Sequence, residues 1–445
     1  MRRTSQMLMF ILLVVLSPSS AHTQSWSLLI TSNKPPARAH HSTVYDPLGN
    51  RIIIFGGSVS TGSGNTLAND VWSLDLTTLA WEQIIPAPGL LPTPRFTHNA
   101  VFDSAQNRMI IWAGQGIGNV LYNDVWAFYL STSAWEQLWQ NGDFPGAPAT
   151  RYGTAAQFDP LERRLINVSG FTSVGGRHED TWAFQVDTMR WNDKTSFPHP
   201  LKRCLHSSCF AEDRRMLFLY GGQSDQVGFL EDLWSLNVDT FEWEQLTPND
   251  RPYGRHFSSM VYDGSGNLYV FGGKTSDIMA TQDGAKNDLW RFSLNTNMWE
   301  QLLPPDPLPA IRYGHTAIFA RSRNSMIIVG GIVGNLRFND VWEFQLATAT
   351  HVPLSDIPTE FSLSQNYPNP FNPTTNIEFR IADIGFVSLK IYDMLGRNIA
   401  TLMNESLPPG MYRRTWDGSG YPSGLYYYRL QTSNFVDTKT MTLLK

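Results

Sequence analysis

Residues 51–82 read Arg-Ile-Ile-Ile-Phe-Gly-Gly-Ser-Val-Ser-Thr-Gly-Ser-Gly-Asn-Thr-Leu-Ala-Asn-Asp-Val-Trp-Ser-Leu-Asp-Leu-Thr-Thr-Leu-Ala-Trp-Glu. An apolar run ends in paired glycines, an Asn-Asp-Val-Trp follows, and a second tryptophan closes the stretch. The same order returns five more times, with a single glycine in two copies and without the closing tryptophan in the last. Asn-Asp-Val-Trp or a variant ends at Trp72, Trp126, Trp182, Trp234, Trp290 and Trp342. The glycines recur at Gly56–Gly57, Gly114, Gly170, Gly221–Gly222, Gly272–Gly273 and Gly330–Gly331. The second tryptophans stand at 81, 135, 191, 243 and 299, at intervals of 54, 56, 52 and 56 residues. A fixed period of this length marks a repeat architecture. Within the first unit, His41–Tyr45, Arg51–Phe55, Val71–Leu76 and Trp81–Ile85 read as four short strands bounded by turn residues such as Asp46-Pro-Leu-Gly-Asn50.

The sixth unit stops near Leu346 without its outer strand, and Trp26-Ser-Leu-Leu-Ile30 supplies an orphan copy of that strand at the other end. Trp26 precedes Trp81 by 55 residues, in step with the rest. The N-terminal strand, residues 26–30, is therefore expected to complete the last unit and close a ring, which removes an exposed sheet edge. The glycine-pair and paired-aromatic unit resembles the kelch repeat over residues 26–346, and the resemblance implies an all-β, six-bladed kelch-type β-propeller at residues 22–346.

Residues 1–21 read as a signal peptide: Arg2 and Arg3, an apolar run Leu8–Leu16, then small residues up to Ala21. The run is too short for a membrane span of ~20 helical residues, and no second long apolar segment exists, so the mature chain is expected to carry no integral membrane segment. Thirty-four Lys and Arg against 39 Asp and Glu give a net charge of −5, which offers no basic field to nucleic acid. If the stretch is one strand, Cys204 and Cys209, five residues apart, face opposite ways, and they are expected to stay buried or half-buried thiols.

After Leu346 the composition changes. Residues 347–359 read as a linker, and residues 360–445 as short alternating strands of an Ig-like β-sandwich. This tail resembles the C-terminal (Por) sorting domain of type IX secretion cargo of the Bacteroidetes. The resemblance rests on Tyr367-Pro368-Asn369-Pro370, Leu395-Gly396-Arg397, Pro409-Gly410-Met411-Tyr412, Ser423-Gly424-Leu425-Tyr426 and the ending Lys439–Lys445. It implies passage through the periplasm to the outer cell surface or medium, with the type IX machinery as partner.

Strands running outward from the axis would put the second-to-third-strand loops and the crossovers between units on one face. The long, dissimilar segments fall there: Ser58–Ala68, Gln115–Tyr122, Phe171–His178, Gln223–Leu230 and Lys274–Lys286. That face is the expected binding face for an unknown protein or glycan ligand. An arginine opens each inner strand (Arg38, Arg95, Arg151, Arg203, Arg255 and Arg312), with His41, His98, His206 and His315 three residues on in four units. These are candidate ligand-binding residues, since arginines near this position line the pocket of kelch propellers that bind acidic peptides. Each arginine has an alternative partner in a recurring aspartate, Asp70, Asp124, Asp180, Asp232, Asp288 or Asp340. The recurring tryptophans read as packing residues.

No nucleophile elbow, zinc-protease helix motif, phosphate loop or calcium loop occurs, and no catalytic residue, cofactor or metal is assigned. Copper-radical oxidases share a similar propeller, but nothing in the sequence identifies their metal ligands. The expectation is a secreted or cell-surface binding protein. A carbohydrate-active enzyme of the sialic-acid mutarotase type is the alternative, because proton transfer on a sugar needs only one or two Arg, His or Glu groups. A structural surface or adhesion component is the third.

Overall fold

The computed structural model describes residues 24–346 and 360–444, apart from 62–63, 174, 249–250, 277–281, 383–384, 408–409 and 433. The expected signal peptide and linker lie outside these residues. The chain divides into two compact units at Thr348/Ala349.

In the first unit the described residues form six antiparallel sheets of four or five strands. Their innermost strands are Ser42–Asp46, Asn99–Asp103, Ala155–Asp159, Ser207–Ala211, Ser259–Tyr262 and Thr316–Ala320. The sixth sheet takes its outer strand from the start of the chain: Ser25–Leu29 pairs antiparallel with Val341–Gln345, Trp26 opposite Phe344. Both faces of every sheet are covered, which is why the second strand is a continuous apolar run. In Arg51-Ile-Ile-Ile-Phe55, Ile52 and Ile54 enter one cluster with Ile318, Ile327 and Val329 of the sixth sheet. Ile53 and Phe55 enter another with Met109, Ile111 and Phe128 of the second. Four further clusters join sheets two to three, three to four, four to five and five to six, so six interfaces close a circle.

The axis is closed by backbone as well. The residue two after each arginine donates its N–H to the equivalent carbonyl of the preceding sheet: His40 to Gly314, Thr97 to His40, Gly153 to Thr97, Leu205 to Gly153, Phe257 to Leu205 and Gly314 to Phe257, at 2.7–3.1 Å. All six residues have φ between 50° and 63°. The conformation is left-handed even where the side chain is not glycine, so the ring is imposed by the assembly rather than by local preference.

Three of the expected loops are hairpin extensions instead. Arg51–Thr61 with Gly64–Asp75, Arg164–Thr172 with Gly176–Gln185, and Asn267–Thr275 with Ala285–Ser293 run on past the glycines, with a register shift at Gly57, Gly170 and Gly273. The Gly-, Ser- and Asn-rich tips read as loop because such residues favour turns, whereas a bulge lets the ladder continue beyond them. Both cysteines are buried and free.

The second unit has two sheets, one of Ser362–Leu363, Thr374–Ile381 and Gly410–Asp417, the other of Asn398–Leu407, Gly385–Tyr392, Gly424–Gln431 and Val436–Leu443. They share one core that includes Phe379, Leu389, Ile391, Trp416, Tyr428 and Leu443.

Candidate functional site

The six arginines are 0–1% exposed and make the same bonds six times. Nε donates to the carbonyl two residues back, as Arg95 does to Thr93. Nη1 donates to the carbonyl of the residue at the glycine position, and Nη1 and Nη2 together hold the aspartate at 2.6–2.9 Å. The tryptophan two residues on donates its indole N–H to the same aspartate at 2.7–2.9 Å. Residues i and i+2 of a strand share a face, so Asp-x-Trp is the spacing that this triad requires. Burial pushes Asp70, Asp180, Asp232 and Asp288 upward, but the arginine bonds outweigh it and hold these carboxyls below the usual 3.8. Each guanidinium thus has its donors engaged by carbonyls and a carboxylate of its own sheet.

The candidate histidines staple neighbouring inner strands. His98 Nε2 meets Ser42 Oγ at 2.8 Å, His315 Nε2 meets Ser259 Oγ at 2.8 Å, and His41 Nε2 meets Thr316 Oγ1 at 3.0 Å. Where histidine is absent, Asn99 donates to Thr154 Oγ1 at 2.5 Å and Ser207 meets Ser258 at 3.3 Å. The remaining junction is different. Ala155 stands where the other sheets place the hydroxyl partner, His206 Nε2 lacks a partner, and the two strands are joined instead by Gln157 donating to Ser208 Oγ at 3.0 Å. Burial holds His98, His206 and His315 down to about 3, and His41 well below its usual value, so all four are neutral.

The groups that differ between units gather on the loop-rich side of the backbone ring. His40 packs on Phe257 at 4.4 Å and faces Phe96 and Tyr313 at 6.2 and 6.1 Å. His256 stacks on Phe229 at 4.6 Å, and Tyr152 meets Phe171 at 5.4 Å. Three cations stand among these rings. Arg177 lies 5.6 Å over Phe171 and pairs with Asp225. Lys274 lies 5.2 Å over Tyr313 and 2.6 Å from Asp283, which also accepts from the Tyr313 hydroxyl at 3.0 Å. Arg337 donates Nη2 to Ser58 Oγ at 2.8 Å, while its buried Nε and Nη1 have no partner. Among the described residues no carboxylate pairs with Arg337. Burial, then Arg337, lowers His40 to about 3; burial, then Lys274 and Arg177, lowers His256 to about 4. Ile117, Val227 and Leu336 stand exposed on the surrounding hairpins. This mouth was not read from the sequence. Its signal is disagreement: at one and two residues past each arginine the copies diverge, and only the third and sixth share a pair, Tyr152-Gly153 and Tyr313-Gly314.

In the second unit the structure joins the first and last pieces of the sorting motif. The Asn369 carboxamide accepts from Thr442 N at 2.9 Å, Phe371 N donates to Thr442 O at 3.0 Å, and Leu444 N donates to Phe371 O at 2.9 Å. The Tyr367-Pro368-Asn369-Pro370 segment thus straps the edge of the terminal strand, with Tyr367 exposed. Gly396 turns at φ 75°, Gly410 and Gly424 open strands, Tyr412 stacks on Phe379 at 5.5 Å, and Tyr426 is buried against Trp416. Lys439 sits 3.7 Å from Asp437, and Lys445 lies outside the described residues.

Among the described residues no three His, Cys, Asp or Glu side chains group to hold a metal, and no helix is long and apolar enough to cross a membrane. The family model of the KLHDC2/KLHL20/DRC7 Kelch-repeats domain matches residues 12–198 and 162–362, and that of the secretion system C-terminal sorting domain matches residues 365–443. The chain is 28% identical over 293 residues to the leucine-zipper-like transcriptional regulator 1 homolog of Drosophila melanogaster, covering 61% of this chain and 28% of that protein. It is 26% identical over 245 residues to human Kelch domain-containing protein 10, covering 53% of this chain and 52% of that protein. The matches thus span about half or less of these relatives' length. The solved structure of YjhT superposes with a TM-score of 0.53 at 15% identity, covering 70% of this chain and 96% of that one. That of a fungal alcohol oxidase of the AA5 family in complex with copper gives 0.52 at 12%, covering 95% and 100%. Both likenesses bear on fold alone.

Proposed function

The chain belongs to the kelch-repeat family through residues 12–362 and carries a secretion system sorting domain at 365–443, and from this we propose that it is a secreted or cell-surface binding protein. Its propeller has six blades at residues 22–346 and takes a protein or glycan ligand on the loop-rich face. Residues 347–359 link it to an Ig-like sorting domain at 360–445, which addresses the chain through the periplasm to the type IX machinery.

The mouth carries this reading. Aromatic rings of His40, Tyr152, Phe257 and Tyr313 with three cations suit a ligand that stacks and bears negative charge. Arg337 supports it most, because a guanidinium with buried, unpartnered donors gains more from an incoming acceptor than from water. The backbone ring and the His40–Phe257 pair close the floor, so the mouth is a shallow dish. A shallow dish suits part of a macromolecule better than an engulfed small molecule, which usually sits in a deep pocket. The unequal cluster of Arg337, His40 and Tyr313 is what favours the alternative, a sugar-converting enzyme of the mutarotase type. A structural surface role is favoured by the closed floor alone.

Glycan and peptide arrays probed with the purified chain test the reading. The expected result is one ligand class retained by the wild type. No ligand on either array, or turnover of a sugar without retained binding, would overturn it.

A further inference from the structure

On the other side of the backbone ring the axis opens into a cavity of about 210 Å³. Through Thr43, Ala100, Gln157, Ser208, Met260 and Ala317 it continues into a stretch of about 320 Å³ toward the short-turn face. The inner strands run from the ring to that face, so this is the end from which the cavity is reached. A water takes up about 30 Å³ of liquid, and the upper cavity has room for a small organic molecule.

Its chemistry is selective. Hydroxyls, amides and imidazoles line the upper cavity, and no Asp, Glu, Lys or Arg does. Burial keeps its histidines neutral, so within the upper cavity neither an anion nor a cation finds a countercharge; Arg321 is the one charged side chain that lines the outer stretch. An apolar guest would strand the polar lining without water. A polyol answers it, since each hydroxyl both donates and accepts. Tyr45, Phe102, Phe158, Phe210, Tyr262 and Phe319 line the outer stretch and offer ring faces to the C–H side of such a molecule.

One position is left open for it. At five junctions the side chains three and four residues past the arginines meet each other across the sheets. At the sixth, where Gln157 donates to Ser208 instead at 3.0 Å, His206 is 7% exposed, lines the cavity and leaves without a partner Nε2, the nitrogen that meets a hydroxyl in the other three. Ser42, Ser259 or Thr316 provides a hydroxyl opposite the other three histidines; Ala155 stands in that place here. We propose that the axial cavity binds a neutral polyhydroxylated small molecule, reached from the short-turn face, with one ligand hydroxyl seated opposite His206 where Ala155 provides none. This site is separate from the mouth and does not depend on it.

Saturation-transfer NMR on the full chain tests the proposal, with glycerol and D-glucose as neutral probes and D-glucuronate as the anionic one. The neutral probes should give saturable signals, equal at pH 6.5 and pH 8, and D-glucuronate none. Ala155→Ser should weaken the signal at least tenfold, because the new hydroxyl takes His206. Ala317→Leu should do so by narrowing the bore, with folding checked by thermal unfolding. Arg337→Ala should leave it unchanged. No saturable neutral signal, an equal signal from D-glucuronate, or persistence in Ala155→Ser overturns the proposal. So does loss on Arg337→Ala alone, which would assign the probes to the mouth.

Discussion

At the scale of the residue, the six arginines separate what a repeat needs from what a ligand needs. Arg95 gives Nε to Thr93, Nη1 to Ala113 and both Nη atoms to Asp124, and pair and arginine alike are buried. Arg95→Ala leaves Asp124 charged and buried without its partner, so a loss of about 3–5 kcal/mol in urea unfolding is expected. Arg337 has no such carboxylate, and Arg337→Ala should cost about 1 kcal/mol or less. Unchanged stability in Arg95→Ala would show that the guanidinium is not holding the sheet. The aspartate partners were legible in the sequence because they recur in phase with the arginines. Which arginine keeps free donors was not, since that depends on the Arg337 side chain reaching Ser58 of another sheet.

At the scale of the element, the inner strands are joined by neutral histidines, and this makes the propeller sensitive to acid. His40, His98, His206 and His315 titrate near 3 in the folded chain against 6.5 when free. Between these values the unfolded chain takes up protons that the folded chain refuses, so stability is complete above pH 6.5 and falls as the pH drops. Each such histidine removes about 2 kcal/mol at pH 5. The depressed aspartates add to this only below 3.8, where their own protonation begins. The urea midpoint should therefore fall steadily from pH 7.5 to 5, and His98→Gln should flatten the slope. A midpoint constant over that range would contradict neutral burial. Strand positions were legible from apolar runs and turn residues; the staples were legible only in part. His41, His98 and His315 look alike in sequence to His206, and the difference lies one residue further along the neighbouring sheet, at Ala155.

At the scale of the whole molecule, Trp26 and the circle of six clusters close one ring, and the strapped terminal strand belongs to the sorting domain. The ring was legible because a sheet buried on both faces writes itself as Ile-Ile-Ile-Phe rather than as an alternation. The loop-rich face was legible too, but the residues of its mouth were not, because His40, Tyr152, His256, Tyr313 and Arg337 share no motif and meet only when the circle is closed. The proposed function puts binding where the blades differ, at the mouth, and not in the repeated arginines. Its most direct test is the affinity of the array-selected ligand for the wild type and for the Lys274→Ala/Arg337→Ala double variant. Affinity at least tenfold weaker, with the unfolding midpoint little changed, is the predicted result. Undiminished affinity in a folded double variant would contradict it.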